Sequence, residues 1–257
     1  MFKKFSHIVS TRRGFTALLV ILFWLTTLFA YFFKFDLDFD NSFQILLAIL
    51  NPNSSSLLLI GLALYAKNTK LYYILSMVIY IALTALLFAN STYFGEFTDF
   101  ITINTMLATG KVSAGLGESA LNLFNLGDLV FIADFVLIGI LMWRKVIRFD
   151  QRAFNKRASF AITSLSILAF TVNLFMAEID RPELLSRGFS NTYVVRYLGL
   201  VPFTVYDGVN TYKTNQVRKE AKATDVDEVK KFITDNYAKP NPETFGIAKG
   251  RNVIYIH

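Results

Sequence analysis

One carboxylate stands where a carboxylate is costly. Asp134 falls inside an apolar run from about Leu123 to Trp143, with Asp128 near one end of it. A charge at the centre of a bilayer costs roughly 2.5–3.5 kcal/mol on insertion scales, so such a residue marks a functional candidate. No lysine or arginine within the apolar runs is available to pair with it. Protonation would satisfy it, and so would bonds to Thr84, Asn173 or the polar stretch Asn51–Ser56. Two roles stay open: a structural polar contact, or the handling of a lipid or an ion.

Other groups invite chemistry with less force. Glu96 and Asp99 are three apart and would share a helix face, able to meet a cation or a lipid head group, or simply a solvated edge. The run Gly110–Gly117 contains Gly-Lys, but Thr105 stands where a phosphate loop needs its first glycine and Val112 where it needs Ser or Thr. It reads as a hinge. Ala221-Lys222-Ala223 has the small-x-small pattern that signal peptidase reads, with Thr224 after the cut, giving a candidate site at Ala221, Ala223 and Thr224. Cysteine is absent, which removes disulfides and thiolate metal sites. The only histidines are His7 and His257, which argues against a histidine-based catalytic centre.

The elements that carry these residues are membrane elements. Hydrophobic residues make up 54% of the 257, aromatics 16%, and charged residues only 18%, below the ~25% of an ordinary soluble domain. A transmembrane helix needs about 20 largely apolar residues. Phe15–Phe33, Leu71–Ala89, the Leu123–Trp143 run and Phe160–Ala177 meet that need. Phe43–Ala66 reaches it only if its halves are joined across Asn51-Pro52-Asn53-Ser54-Ser55-Ser56, where Pro52 predicts a kink. That break is either a tolerated kink or a flexible point for lipid access.

Charge placement then orients five crossings. Lys3, Lys4, Arg12 and Arg13 precede the first, Lys67 and Lys70 follow the second, and Arg144, Lys145, Arg148, Arg152, Lys156 and Arg157 follow the fourth. The alternate connections are poor in basic residues, with Lys34 among Asp36, Asp38 and Asp40, and Lys111 with Glu96, Asp99 and Glu118. This alternation places the amino terminus in the cytoplasm and the carboxyl terminus outside. It also explains the net charge of +7 without nucleic acid, because the basic residues sit at membrane edges.

Outside the spans, part of 90–122 reads as an interfacial helix, and Leu184–Val209 as short elements resting on the membrane surface. A helix capped by Thr224 or Asp225 carries an apolar face of Val229, Phe232, Ile233 and Tyr237. Asn252–His257 reads as a strand opening a further domain. The expected organisation is a five-span domain at 1–178, an extracytoplasmic linker at 179–223, and the start of an extracellular domain at 224–257.

Several stretches together resemble the amino-terminal part of the lipoteichoic acid synthase family of Gram-positive bacteria. They are Lys3–Phe15, Glu96–Met106 with Gly110–Ser113, Asp180–Leu185, Tyr206–Val209, and Pro240–Glu243 leading to Gly250–His257. The resemblance covers essentially the whole chain. It implies an all-α polytopic membrane protein of five transmembrane helices with interfacial helices, followed by the truncated start of an α/β alkaline-phosphatase or sulfatase-like domain. It further implies a plasma-membrane location, phosphatidylglycerol and other membrane lipids as partners, cleavage by signal peptidase, and association with the cleaved catalytic domain.

In that family the outer domain transfers glycerol phosphate from phosphatidylglycerol, using manganese or magnesium and a threonine nucleophile. Those groups would come after His257, so the chain is expected to hold no catalytic or metal-binding residue and to be inactive alone. The expected function is anchoring and positioning of a lipoteichoic acid synthase. The alternatives are a lipoteichoic acid primase or related paralogue, and a membrane bundle that handles a lipid or ion through Asp134 and the polar break.

Overall fold

A computed structural model of the chain describes residues 2–109, 126–149, 155–186, 188, 190–220, 223–237, 241–243, 245–247 and 249–250. Among the described residues all regular structure is helical: α1 (Phe2–Val9), α2 (Arg12–Phe33), α3 (Ser42–Leu62), α4 (Thr69–Phe97), α5 (Ile103–Thr109), α6 (Val130–Trp143), α7 (Lys156–Asp180), α8 (Asn191–Leu198), α9 (Leu200–Glu220) and α10 (Ala223–Asp235). Short 3-10 turns at Ala63–Tyr65 and Leu126–Leu129 extend α3 and precede α6. The strand expected at Asn252–His257 and the hinge at Gly110–Gly117 lie outside the described residues.

Side chains that accept hydrogen bonds begin the long helices. The Thr11 hydroxyl accepts from the Gly14 N–H, Asn41 from Gln44, Asn68 from Lys70 and Leu71, and Asn155 from Ala158. Each satisfies one or two of the donors that a helix start leaves bare. The α1–α2 corner also requires Gly14, since a Cβ there would stand 1.9 Å from the Ile8 carbonyl oxygen.

Helix α3 settles the polar break in favour of one continuous element, because its helical backbone runs through Pro52 from Ser42 to Leu62. The hydroxyls of Ser54 and Ser56 return to the carbonyls of Asn51 and Pro52, at 3.0 and 2.6 Å. These two serine hydroxyls are thereby satisfied locally.

Among the described residues four helices are long and apolar enough to cross a membrane: Arg12–Phe33, Ser42–Tyr65, Thr69–Phe97 and Lys156–Asp180, of 22, 24, 29 and 25 residues. At 1.5 Å per residue they span roughly 33–44 Å, beyond the ~30 Å of hydrocarbon. Central α3 packs most extensively along α7 and α2. Its partner α7 turns Phe160, Leu168 and Phe175 outward, the pattern of a lipid-facing helix.

The chain divides into two compact units, Met1–Thr211 and Tyr212–His257. The first contains the bundle together with α8 and the start of α9. Within the second, α10 begins at Ala223, which places Thr224 and Asp225 in its first turn. The apolar face anticipated for this helix is exposed at Val229, Phe232, Ile233 and Tyr237.

Candidate functional site

The most developed polar site lies where the segment after α7 folds back into the bundle. Helix α8 reads Asn-Thr-Tyr-Val-Val-Arg-Tyr-Leu, and its last five residues, Val194–Leu198, are all buried. Sequence reasoning left this segment on the membrane surface. The structure buries it against α3 and α7 instead. The cause is that both its apolar and its polar side chains find partners there.

Arg196 is the pivot of this socket. Its Nη1 donates to Asp40 Oδ2 at 2.9 Å and to Gln44 Oε1 at 3.3 Å, and its guanidinium lies over the Tyr193 ring. The Arg196 side chain is 4% exposed, while that of Asp40 is 56% exposed, so the pair joins a buried cation to a half-solvated carboxylate. Gln44 Nε2 donates to the Tyr197 hydroxyl at 2.8 Å, and that hydroxyl donates to Asp180 Oδ2 at 2.6 Å. Burial first, then the hydrogen bond to Asp180 and its negative charge, push the Tyr197 phenol up to about 12.

Backbone geometry seals the next turn. Gly199 takes φ +93, and a Cβ on it would lie 2.7 Å from Asn51 Oδ1 and 3.2 Å from the Tyr31 hydroxyl oxygen. Its neighbour Leu200 donates its N–H to that same Tyr31 hydroxyl at 2.9 Å, and Asn173 Nδ2 donates to the Tyr197 carbonyl at 3.1 Å. Tyr31 of α2 and Asn173 of α7 therefore bond the chain where it changes direction between α8 and α9, close against Asn51 of α3. Phe203, fully buried, then packs on Phe100, whose ring also meets Phe35 and Phe94.

Asp99 belongs to this socket. Asn191 Nδ2 donates to both its carboxylate oxygens, at 3.0 and 3.2 Å. Glu96 does not join it, and the two do not share a helix face. Helix α4 ends at Phe97, and Thr98 adopts the left-handed conformation at φ 51, so Asp99 leaves on a new path. An i,i+3 spacing places two side chains together only while the helix continues.

Asp134 is satisfied inside the bundle by groups other than those the sequence suggested. The Thr26 hydroxyl donates to its Oδ2 at 2.5 Å and the Tyr80 hydroxyl to the same oxygen at 2.8 Å. Thr84, Asn173 and the α3 break are not its partners in these hydrogen bonds. Asp128 pairs with Lys34 at 2.8 Å near the start of α6. Of the candidate cleavage residues, Ala221 lies outside the described residues, and Ala223 and Thr224 open α10.

Among the described residues no three of His, Cys, Asp or Glu come together to hold a metal ion. The buried Arg196 had one sequence signal, a cation among Val194, Val195 and Leu198 in an otherwise apolar turn. Its partner Asp40 had none.

Comparison with known proteins identifies the family. Residues 1–220 match the family described as lipoteichoic acid synthase N-terminal domain. The chain is 39% identical over 249 residues to lipoteichoic acid synthase 1 of Bacillus subtilis, covering 96% of this chain and 38% of that protein. It is 38% identical over 243 residues to lipoteichoic acid synthase 2 of the same organism, covering 95% and 37%. With lipoteichoic acid synthase of Staphylococcus aureus it shares 36% identity over 244 residues, covering 95% and 38%. The chain thus spans under two-fifths of the length of these curated relatives. No solved structure matches it.

Proposed function

Because the chain belongs to the lipoteichoic acid synthase N-terminal domain family, we propose that it anchors and positions the extracellular glycerophosphotransferase of such a synthase. The observation that carries this reading is the buried return of residues 191–203 into the bundle. A plain tether would leave its last span on a solvated linker. Here Arg196, Tyr197 and Phe203 are 3%, 1% and 0% exposed, so the segment that follows α7 is packed into the bundle.

The proposal includes five crossings, with the amino terminus in the cytoplasm of a Gram-positive cell. Helix α6 alone, 14 residues, covers about 21 Å. With the 3-10 turn at Leu126–Leu129, at ~2.0 Å per residue, it reaches about 29 Å, close to the ~30 Å required. Counting it as a crossing preserves the alternation of basic connections. The organisation at 1–178, 179–223 and 224–257 belongs to the same proposal. So do phosphatidylglycerol as lipid partner, signal-peptidase cleavage after Ala223, and association with the cleaved domain. Manganese or magnesium chemistry and the threonine nucleophile belong to the outer domain, and no residue described here is assigned to either.

The test uses a full-length synthase carrying this amino-terminal domain in cells that lack their own. Replacing residues 1–211 by an unrelated five-span anchor should leave the protein in the membrane and lower polyglycerol phosphate several-fold. Unchanged polymer at equal protein level would reduce the domain to a tether and overturn the positioning role.

A further inference from the structure

Away from the socket, a cavity of about 630 Å³ opens beside the start of α4, lined by Asn68, Thr69, Lys70, Tyr73, Ile74 and Phe149. That volume falls within the roughly 300–1,000 Å³ of small-molecule sites. We propose that this cavity binds one anionic glycerophospholipid, its phosphate at Lys70 and its acyl chains along Ile74 and Phe149. That this cavity faces the cytoplasmic side rests on the proposed orientation; the lipid class does not.

The cavity walls are held in place. The Tyr73 ring lies 4.7 Å from Phe149 and 5.1 Å from Phe15, and its hydroxyl donates to the Ser10 carbonyl at 3.2 Å. Phe149 follows Arg148, whose N–H donates to Ser10 Oγ at 2.9 Å. The α1–α2 corner therefore fixes both aromatic walls. Arg12 is buried and donates to the carbonyls of Ala66 and Lys67, and among the described residues of the lining Lys70 is the cation.

Polarity changes in the order a lipid requires. Asn68, Thr69 and Lys70 form the helix start, and Ile74 lies one turn further along α4, about 6 Å deeper. Ile74 and Phe149 are 58% and 59% exposed, apolar surface that water would not favour. None of the described residues of the lining is acidic. The segments at this end of the bundle carry Arg13, Lys67, Arg144, Lys145 and Arg148 against a single acid, Asp150, which lies outside the described residues. Such a field favours an anionic head group over a zwitterionic one, and basic pockets between helices on the cytoplasmic side bind anionic lipids in this way.

The experiment places the purified full chain in nanodiscs containing trace phosphatidylglycerol or phosphatidylcholine with a photoreactive acyl chain, then maps adducts by peptide. Phosphatidylglycerol should label residues 68–74 and Phe149 several-fold above phosphatidylcholine. Lys70→Glu should cut that labelling by about fivefold or more, as expected from ~1 kcal/mol per basic residue near a membrane. Ile74→Trp, which fills the cavity and keeps the charge, should cut it too. Lys230→Glu in α10 should not. Equal labelling by the two lipids would overturn the proposal, as would indifference to both cavity substitutions. Displacement by millimolar glycerol 3-phosphate would also overturn it, since a soluble anion would then be the ligand. Polymer synthesis is not read in this assay, so its result stands apart from the positioning role.

Discussion

The Arg196 guanidinium lies 2.9 Å from the Asp40 carboxylate, although 156 residues separate the two. The pair closes the connection between α2 and α3 over the segment that leaves α7. Because the arginine is buried and the carboxylate half exposed, the two ends are not equivalent. Asp40→Ala strands a buried cation, whereas Arg196→Met leaves a carboxylate that water can reach. Solvent screening at Asp40 reduces the usual penalty, so Asp40→Ala should cost about 1–2 kcal/mol and Arg196→Met less. Thermal unfolding of the two variants in one detergent gives the order; the reverse order would refute the asymmetry.

Tyr197 makes the socket sensitive to alkali. Its phenol is raised from 10.0 to about 12 in the folded chain. Between those values the unfolded chain loses the proton and the folded chain retains it. The contribution of this group is therefore complete below about pH 10 and is lost as pH rises toward 12. Tyr197→Phe should lower stability at pH 8, where its hydrogen bonds are lost, and flatten the decline above pH 10. Unfolding midpoints across pH 8–12 measure both effects.

Gly199→Ala should be the most damaging single methyl in the segment. At φ +93 an alanine is strained by about 1–2 kcal/mol, and its Cβ would meet Asn51 Oδ1 at 2.7 Å. The expected loss exceeds 2 kcal/mol once that close contact is added. Limited proteolysis should then cut within 191–205, a region protected in the parent chain. Equal protection in both would show that the junction adapts.

Asp134 separates packing from function. Asp134→Asn keeps an oxygen that can accept from Thr26 and Tyr80, and should be tolerated within about 1 kcal/mol. Asp134→Leu leaves two buried hydroxyls unpaired and should cost about 2–4 kcal/mol. If Asp134→Asn instead abolishes polymer in a full-length synthase without loss of protein, the carboxylate has a role beyond packing.

Local pattern revealed the elements, while contacts between distant segments stayed hidden. The long helices follow from apolar runs and from Thr or Asn caps, and the Asn51–Ser56 interruption lies within one helix, as its apolar flanks suggest. Asp134 was recognisable as a carboxylate inside an apolar run, yet its partners Thr26 and Tyr80 lie 108 and 54 residues away and carry no local signal. Glu96 and Asp99 misled for the opposite reason. A spacing rule was applied across a helix end that Thr98 enforces through a left-handed backbone, and nothing in Phe-Thr-Asp-Phe announces that. The burial of α8 was missed because an amphipathic stretch looks alike whether its apolar side meets lipid or protein.

The absence of cysteine permits a direct test of both docking and orientation. Asp99→Cys with Asn191→Cys replaces a half-buried contact at the rim and leaves Arg196, Tyr197 and Gly199 intact. A short, membrane-impermeant bis-maleimide applied to intact cells should cross-link this pair, and neither single variant should yield the product. Labelling of each single variant without cross-linking of the pair would show that residues 191–203 are not docked. Reaction only after permeabilisation would show that this end of the bundle faces the cytoplasm, contradicting the proposed orientation.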